Sequence, residues 1–205
     1  MAIDTTFALI SLDDAKTQLK ITASSENTIL GDIINGVSAL VNSYCKRVFL
    51  TTSFTEYYDG NGQRELILRN VPIISISTLY NADANRTFDS STEVDVSADV
   101  LIKKQSGIIE LWNNEAAFIK GSANIKITYV AGYALASIPF DIQMAVRLMV
   151  AQKYMKYSTR EYNHQSQTIG DMTTTYSNED IPKEAKVILD HYSHMASAPD
   201  FAYAD

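Results

Sequence analysis

A chain of 205 residues with 46% hydrophobic and 20% charged side chains, eight glycines and four prolines has a globular composition, which excludes the fibrous, collagen-like and disordered classes. Seventeen basic against 24 acidic residues leave a net charge of −7, the wrong sign for a protein that gains affinity by neutralising phosphates, so tight nucleic-acid binding is not expected. No run approaches the roughly 20 apolar residues of a spanning helix, the segment Met1–Phe7 lacks the basic flank and apolar core of a secretory signal, and the lone Cys45 cannot close an intramolecular disulfide; the expectation is a soluble chain in a reducing cytoplasm, without a membrane partner.

Ser11 followed by Leu12, Asp13 and Asp14 is a capping pattern, with carboxylates at the positive end of the helix dipole, and predicts a short helix over 12–20. After the polar break at 22–25, Ile29, Ile33, Val37, Leu40, Tyr44 and Val48 recur at helical spacing and predict a long amphipathic helix over 26–48. Gly31 and Gly36 lie inside it. Each costs about 1 kcal/mol relative to Ala, which points to close packing against another element, within the chain or between subunits.

From Thr51 the pattern turns to β. Phe54–Tyr58 are strand formers, and the turn residues Asp59-Gly60-Asn61-Gly62 lead into Glu65–Leu68, which reads as a hairpin. Further short strands are expected at 73–80, 99–103, 107–112 and 123–130, making 51–133 a mostly antiparallel insert between helices. Ile138-Pro139-Phe140-Asp141 then opens a helix. Met144, Leu148, Ala151 and Met155 form one apolar line on it, and Ile142, Ala145, Val146, Met149 and Val150 widen that line, which predicts a central helix buried on several sides.

The stretch 160–180 holds Tyr162, Ile169, Met172 and Tyr176 as its only large apolar side chains, and Gly170-Asp171 sits between two β-tolerant runs as a two-residue turn would. It reads as a flexible β arm. A last helix opens at Asp180-Ile181-Pro182 with Ile181, Ala185, Ile188, Tyr192 and Met195 on one face, followed by a tail, 196–205, without periodicity. The expected organisation is α+β: N-terminal helices over 1–50, a β domain over 51–133, a core helix over 134–158, an extended arm over 159–180, and a C-terminal helix and tail over 181–205.

Chemistry is scarce. Gly60-Asn61-Gly62 lacks the remaining glycine and following helix of a phosphate loop and reads as a turn. His191 and His194 are one helical turn apart with no third ligand, His164 lies in the polar arm, and Asp13 and Asp14 are explained by the helix start. Cys45 reads as a small inert hydrophobe, and the sequon at Asn85 has no bearing on a chain that is not secreted. No nucleophile elbow is present. The expectation is no enzymatic activity, no metal and no cofactor.

Four pieces, in order, resemble the head-to-tail connector family of tailed bacteriophages and prophages, over nearly the whole chain. The first is Ser11-Leu-Asp-Asp-Ala-Lys-Thr-Gln-Leu-Lys-Ile21 with a long helix closing on Tyr44-Cys-Lys-Arg47. The second is Leu66-Ile-Leu-Arg-Asn-Val-Pro72-Ile-Ile-Ser-Ile76. The third and most specific is Ile125-Lys-Ile-Thr-Tyr-Val-Ala-Gly-Tyr133 leading to Ile138-Pro-Phe-Asp-Ile142, and the fourth is Ile169-Gly-Asp-Met-Thr-Thr-Thr-Tyr176 before the last helix.

The resemblance implies about four core helices with a β domain between the second and third, and a structural adaptor in the virion neck, assembled in the bacterial host cytoplasm. It further implies a dodecameric ring of the chain with itself under the portal protein, completing the head, joined below to the next tail-completion or stopper protein, with DNA passing through and not tightly bound. The expected portal contacts are Ile169, Gly170, Asp171, Met172 and Tyr176 of the arm and the face Ile181, Ala185, Ile188 and Tyr192. A tail-completion protein farther from the portal, and a cytoplasmic ligand-binding or enzymatic domain, are the alternative readings. Removing 160–205 is expected to leave the core folded.

Overall fold

A computed structural model describes residues 3–4, 6–83, 85–112, 117–159, 166–169, 172–175 and 180–193. Their contacts divide the chain into a helical unit, Met1–Lys46 with Ser137–Met195, and a unit built on strands, Arg47–Ala136. Helices and antiparallel sheets together make the α+β class.

In the helical unit, α1 (Leu12–Leu19) starts at a capping box: Ser11 Oγ accepts the Asp14 N–H at 3.1 Å while the Asp14 carboxylate accepts the Ser11 N–H at 3.3 Å. The second helix, α2 (Asn27–Tyr44), ends four residues before the expected 48, because Cys45 caps it and Lys46 takes a left-handed φ of 51°. Its core-facing line is Leu30, Ile34, Val37 and Val41, whereas Ile29, Ile33 and Leu40 of the expected stripe are half-buried beside it. The doublets Ile29-Leu30, Ile33-Ile34 and Leu40-Val41 explain the offset: two adjacent apolar lines share one period, and only packing selects between them.

Within the strand unit, β1 (Thr52–Gly60), β6 (Gly121–Ala131) and β3 (Ile73–Asn81) form one antiparallel sheet in the order β1-β6-β3. A second sheet has the order β2-β5-β4, from β2 (Glu65–Ile67), β5 (Ile108–Leu111) and β4 (Val100–Lys103), the last preceded by a single helical turn, α3 (Val96–Asp99). The expected hairpin across Asp59–Gly62 is therefore not formed: β1 pairs with β6 and β2 with β5. The turn sends the chain from one sheet to the other, and the Gly62 N–H bonds the Phe118 carbonyl at 3.0 Å instead of a strand partner. Alternate residues Ile125, Ile127, Tyr129 and Ala131 of β6 are fully buried with Ile109 and Leu111 of β5 and Leu79 of β3 in one core.

The chain returns to the helical unit in α4 (Phe140–Thr159), where the Pro139 carbonyl takes the Gln143 N–H at 3.1 Å. Ile142, Ala145, Val146, Met149 and Val150 face the core against α2. Helix α4 packs against α1, α2 and the C-terminal helix, as a central helix does, while the line Met144–Leu148–Ala151–Met155 is only partly covered: Leu148 and Ala151 are half-buried, Met144 is 57% and Met155 61% exposed. Two short strands, β7 (Ser166–Ile169) and β8 (Met172–Thr175), pair antiparallel with each other. Then α5 (Lys183–Ser193) packs on α4 and α2 through Ala185 and Leu189. Removing 160–205 would take away the contacts that Ala185 and Leu189 of this helix make with the core. The tail 196–205 lies outside the described residues.

Candidate assembly surfaces

Among the described residues no group of three or more His, Cys, Asp or Glu side chains can hold a metal, and no helix is long and apolar enough to cross a membrane. His191 is exposed and meets the Tyr192 ring edge-on; His164 and His194 lie outside the described residues. The Cys45 thiol is buried and donates to the Leu189 carbonyl at 3.7 Å, a packing role. Asp14 divides its oxygens between Ser11 at the start of α1 and the Arg147 guanidinium of α4 at 2.9 Å.

A dense polar cluster sits in the strand unit. Glu56 accepts hydrogen bonds from the Tyr58 hydroxyl at 2.5 Å, the Tyr129 hydroxyl at 2.7 Å and the Asn70 amide at 3.3 Å. Burial first, and the neighbouring acidic groups second, raise both phenols above the ordinary tyrosine value. The phenols therefore stay protonated and donate to the carboxylate. This cluster ties β1 and β6 to the 69–70 segment, whose N–H groups donate back to the two hydroxyls at 3.0 and 3.3 Å.

The expected partner contacts fall in three settings. Ile169 and Met172 are the innermost pair of the β7–β8 register, flanking the two-residue connection. Gly170, Asp171 and Tyr176 lie outside the described residues. On α5, Ala185 is fully buried within the chain, Ile188 and, just before the helix, Ile181 are half-buried, and the Tyr192 hydroxyl donates to the Asp141 carboxylate at 2.8 Å. Leu189, one position after Ile188, carries the core contact that the spacing 181, 185, 188, 192 passed over.

Apolar side chains that face solvent mark further surfaces, which periodicity assigned to the core or did not single out. On α4, Phe140 is 86% exposed and lies in line with Met144, Leu148, Ala151 and Met155. Their signal was a helix apolar around most of its circumference, which describes an assembly subunit as well as a core helix. Between α2 and α4 a groove of about 260 Å³ is lined by Ile33, Gly36, Val37, Leu40 and Lys153. In the strand unit, the outward face of the β2-β5-β4 sheet presents Ile67, Leu101 and a 69% exposed Trp112 beside Lys103, whose ammonium is held between Glu65 at 3.0 Å and Glu110 at 3.2 Å. Those two carboxylates raise the Lys103 pKa.

Clustered exposed apolar side chains are common where a protein meets another macromolecule. A family model described as "Head completion protein" matches residues 8–195. Among curated proteins none matches. Solved structures similar to the chain include one titled "Virion of native gene transfer agent (GTA) particle", with TM-score 0.60, 14% identity, and 94% of this chain and 92% of that chain covered. Two more are necks of the GTA particle. One is empty and computed with C6 symmetry, with TM-score 0.59, 16% identity and coverage of 94% and 92%; the other is native and computed with C12 symmetry, with TM-score 0.58, 15% identity and coverage of 94% and 91%. At such identities these structures show a common fold. The match over residues 8–195 shows more: the chain belongs to the head completion protein family, and its role is that of a structural head-to-tail connector.

Proposed function

We propose that the chain forms a closed ring in the virion neck, bound above to the portal and below to the next tail-completion protein, and that it works by buried surface and strand exchange without catalysis. The observation that carries the portal contact is the β7–β8 hairpin. Its strands pair only with each other among the described residues. A two-stranded hairpin is marginal in water, and its unpaired edges are templates for a strand supplied by a partner. Ile169, Gly170, Asp171, Met172 and Tyr176 are the proposed arm contacts, with Ile181, Ile188 and Tyr192 continuing the surface along α5; Ala185 braces that helix from inside.

The ring draws support from the C6 and C12 symmetry of the two GTA necks that share the fold. A net charge of −7 keeps such a conduit from gripping the DNA that passes. The test is native mass spectrometry of the chain with and without the portal ring of the same particle, using wild type and a variant in which 160–179 is replaced by a short Gly-Ser linker. That variant keeps α5 in place. It is expected to retain its fold and lose portal attachment; attachment at wild-type strength overturns the arm's role, and binding only to tail components places the protein farther from the portal.

A further inference from the structure

The ring leaves open which surfaces join neighbouring copies, and the helical unit carries a matched pair. A head-to-tail ring needs two different patches on each subunit, one accepting the other by rotation. Phe140, 86% exposed at the first turn of α4, is a large apolar knob that no described residue covers. The groove between α2 and α4 is a hole: Ile33, Val37 and Leu40 wall it, and Gly36 leaves its floor open, with no atom within 4 Å of where a Cβ would stand. At about 260 Å³ it is smaller than the roughly 300–1,000 Å³ of small-molecule sites, and among the described residues Lys153 is its one charged group. It suits one apolar side chain better than a polar ligand.

Position and charge agree with a second copy as the occupant. Lys153 stands 13 residues after Phe140 on the same helix, which places knob and hole about 140° apart around α4 and about 20 Å apart along it. One contact of this kind, repeated, propagates around a ring and cannot be satisfied within one chain. The carboxylate of Asp141 flanks the knob, and the Lys153 ammonium flanks the hole. That ammonium bonds Asp180 at 2.8 Å and has two further donors. We infer that, in the proposed ring, Phe140 of one copy inserts into the Ile33–Gly36–Leu40 groove of the next, with Asp141 beside Lys153 and Met144 closing the rim. This inference rests on the ring reading.

Cysteine placement tests it directly. Phe140→Cys and Gly36→Cys in one chain, assembled and treated with a short bismaleimide, should give a covalent ladder of multimers. An equal mixture of the two single variants should stop at covalent dimers, and each single variant alone, which also controls for Cys45, should give neither. Gly36→Leu sets its Cβ where no atom lies within 4 Å and points a side chain into the groove; it should melt no lower than wild type while raising the concentration for half-assembly on the order of tenfold or more. Phe140→Ala should do the same. If wild type forms rings but the double variant yields no ladder and Gly36→Leu assembles normally, this contact is wrong and the ring reading stands. Cross-linking of Gly36→Cys to Phe201→Cys in preference to Phe140→Cys would seat the chain's own tail in the groove and overturn the inference. If wild type forms no ring, alone or with the portal, both fall together.

Discussion

Gly132 stands so close to Leu50 that a Cβ added to it would lie 2.5 Å from the Leu50 carbonyl oxygen, and its φ of 108° is one that L side chains rarely adopt. Its N–H bonds the Pro72 carbonyl at 2.9 Å, and the next residue, Tyr133, donates to the Phe49 carbonyl at 2.7 Å. The Ala131-Gly132-Tyr133 motif is thus the point where the end of β6 is stitched to the segments around 50 and 72.

Gly132→Ala combines a disallowed backbone with a backbone clash and should destabilise the strand unit by about 3 kcal/mol. Urea denaturation followed by the fluorescence of Trp112, which lies in that unit, reads the loss. A destabilisation below 1 kcal/mol would mean that the segment around Leu50 moves aside at little cost.

Motifs of this kind were legible because local backbone demands write themselves into residue type. The capping box at Ser11, the starts of α4 and α5 after Pro139 and Pro182, and all four strands expected between 73 and 130 follow from such demands. What periodicity could not settle was which face points inward. The Ile29-Leu30 and Ile33-Ile34 doublets hold two equivalent lines. Met144 and Met155 have core-type side chains at exposed positions, as an assembling subunit requires. Sheet pairing was equally hidden, since the turn chemistry at 59–62 fits a hairpin and a crossing between sheets alike, and only the β6 and β5 partners decide.

The Glu56 cluster gives a pH dependence with a definite sign. Tyr58 and Tyr129 have folded-state pKa values raised above the ordinary 10, so their contribution is intact below pH 10 and is lost as pH rises above it, where the unfolded chain releases phenolic protons that the folded chain retains. Stability in this window should fall with pH, and Tyr58→Phe should flatten the fall. Glu56→Ala leaves two hydroxyls and the Asn70 amide short of an acceptor and should cost about 2–3 kcal/mol at neutral pH. Thermal melts of the three proteins from pH 7 to 11 check both statements; equal slopes for wild type and Tyr58→Phe would rule out the assignment.

Asn124 is a fully buried polar anchor in the same unit. Its side chain accepts the Gly60 N–H at 2.9 Å and donates to the Ala82 and Ile119 carbonyls at 2.8 and 2.7 Å, with the residue fully buried. Asn124→Ala should cost about 3 kcal/mol by leaving those three groups without the amide. Asn124→Asp should be worse at neutral pH, because a carboxylate faces two carbonyl oxygens, and should recover toward the alanine variant in acid, where a protonated carboxyl can donate once. Denaturation midpoints at pH 7 and pH 4.5 distinguish the two; an aspartate variant as stable as wild type at pH 7 would contradict the hydrogen-bond assignment.

Gly36 separates stability from assembly. It sits in the interior of α2, where glycine costs about 1 kcal/mol relative to alanine through backbone entropy, and a Cβ there meets no atom within 4 Å. Gly36→Ala should therefore stabilise the isolated subunit by about 0.5–1 kcal/mol and raise its melting temperature by roughly 1–4 °C. A helix that keeps a glycine at such an open position forgoes this gain, which is intelligible if the space above it is occupied in the assembled particle. One methyl group takes little of a 260 Å³ groove, whereas a leucine takes much of it, so assembly should fall in the order Gly, Ala, Leu while subunit stability does not. Calorimetry of the subunit beside native mass spectrometry of the ring measures both; assembly that is indifferent to side-chain size at 36 would show that the groove is vacant in the ring.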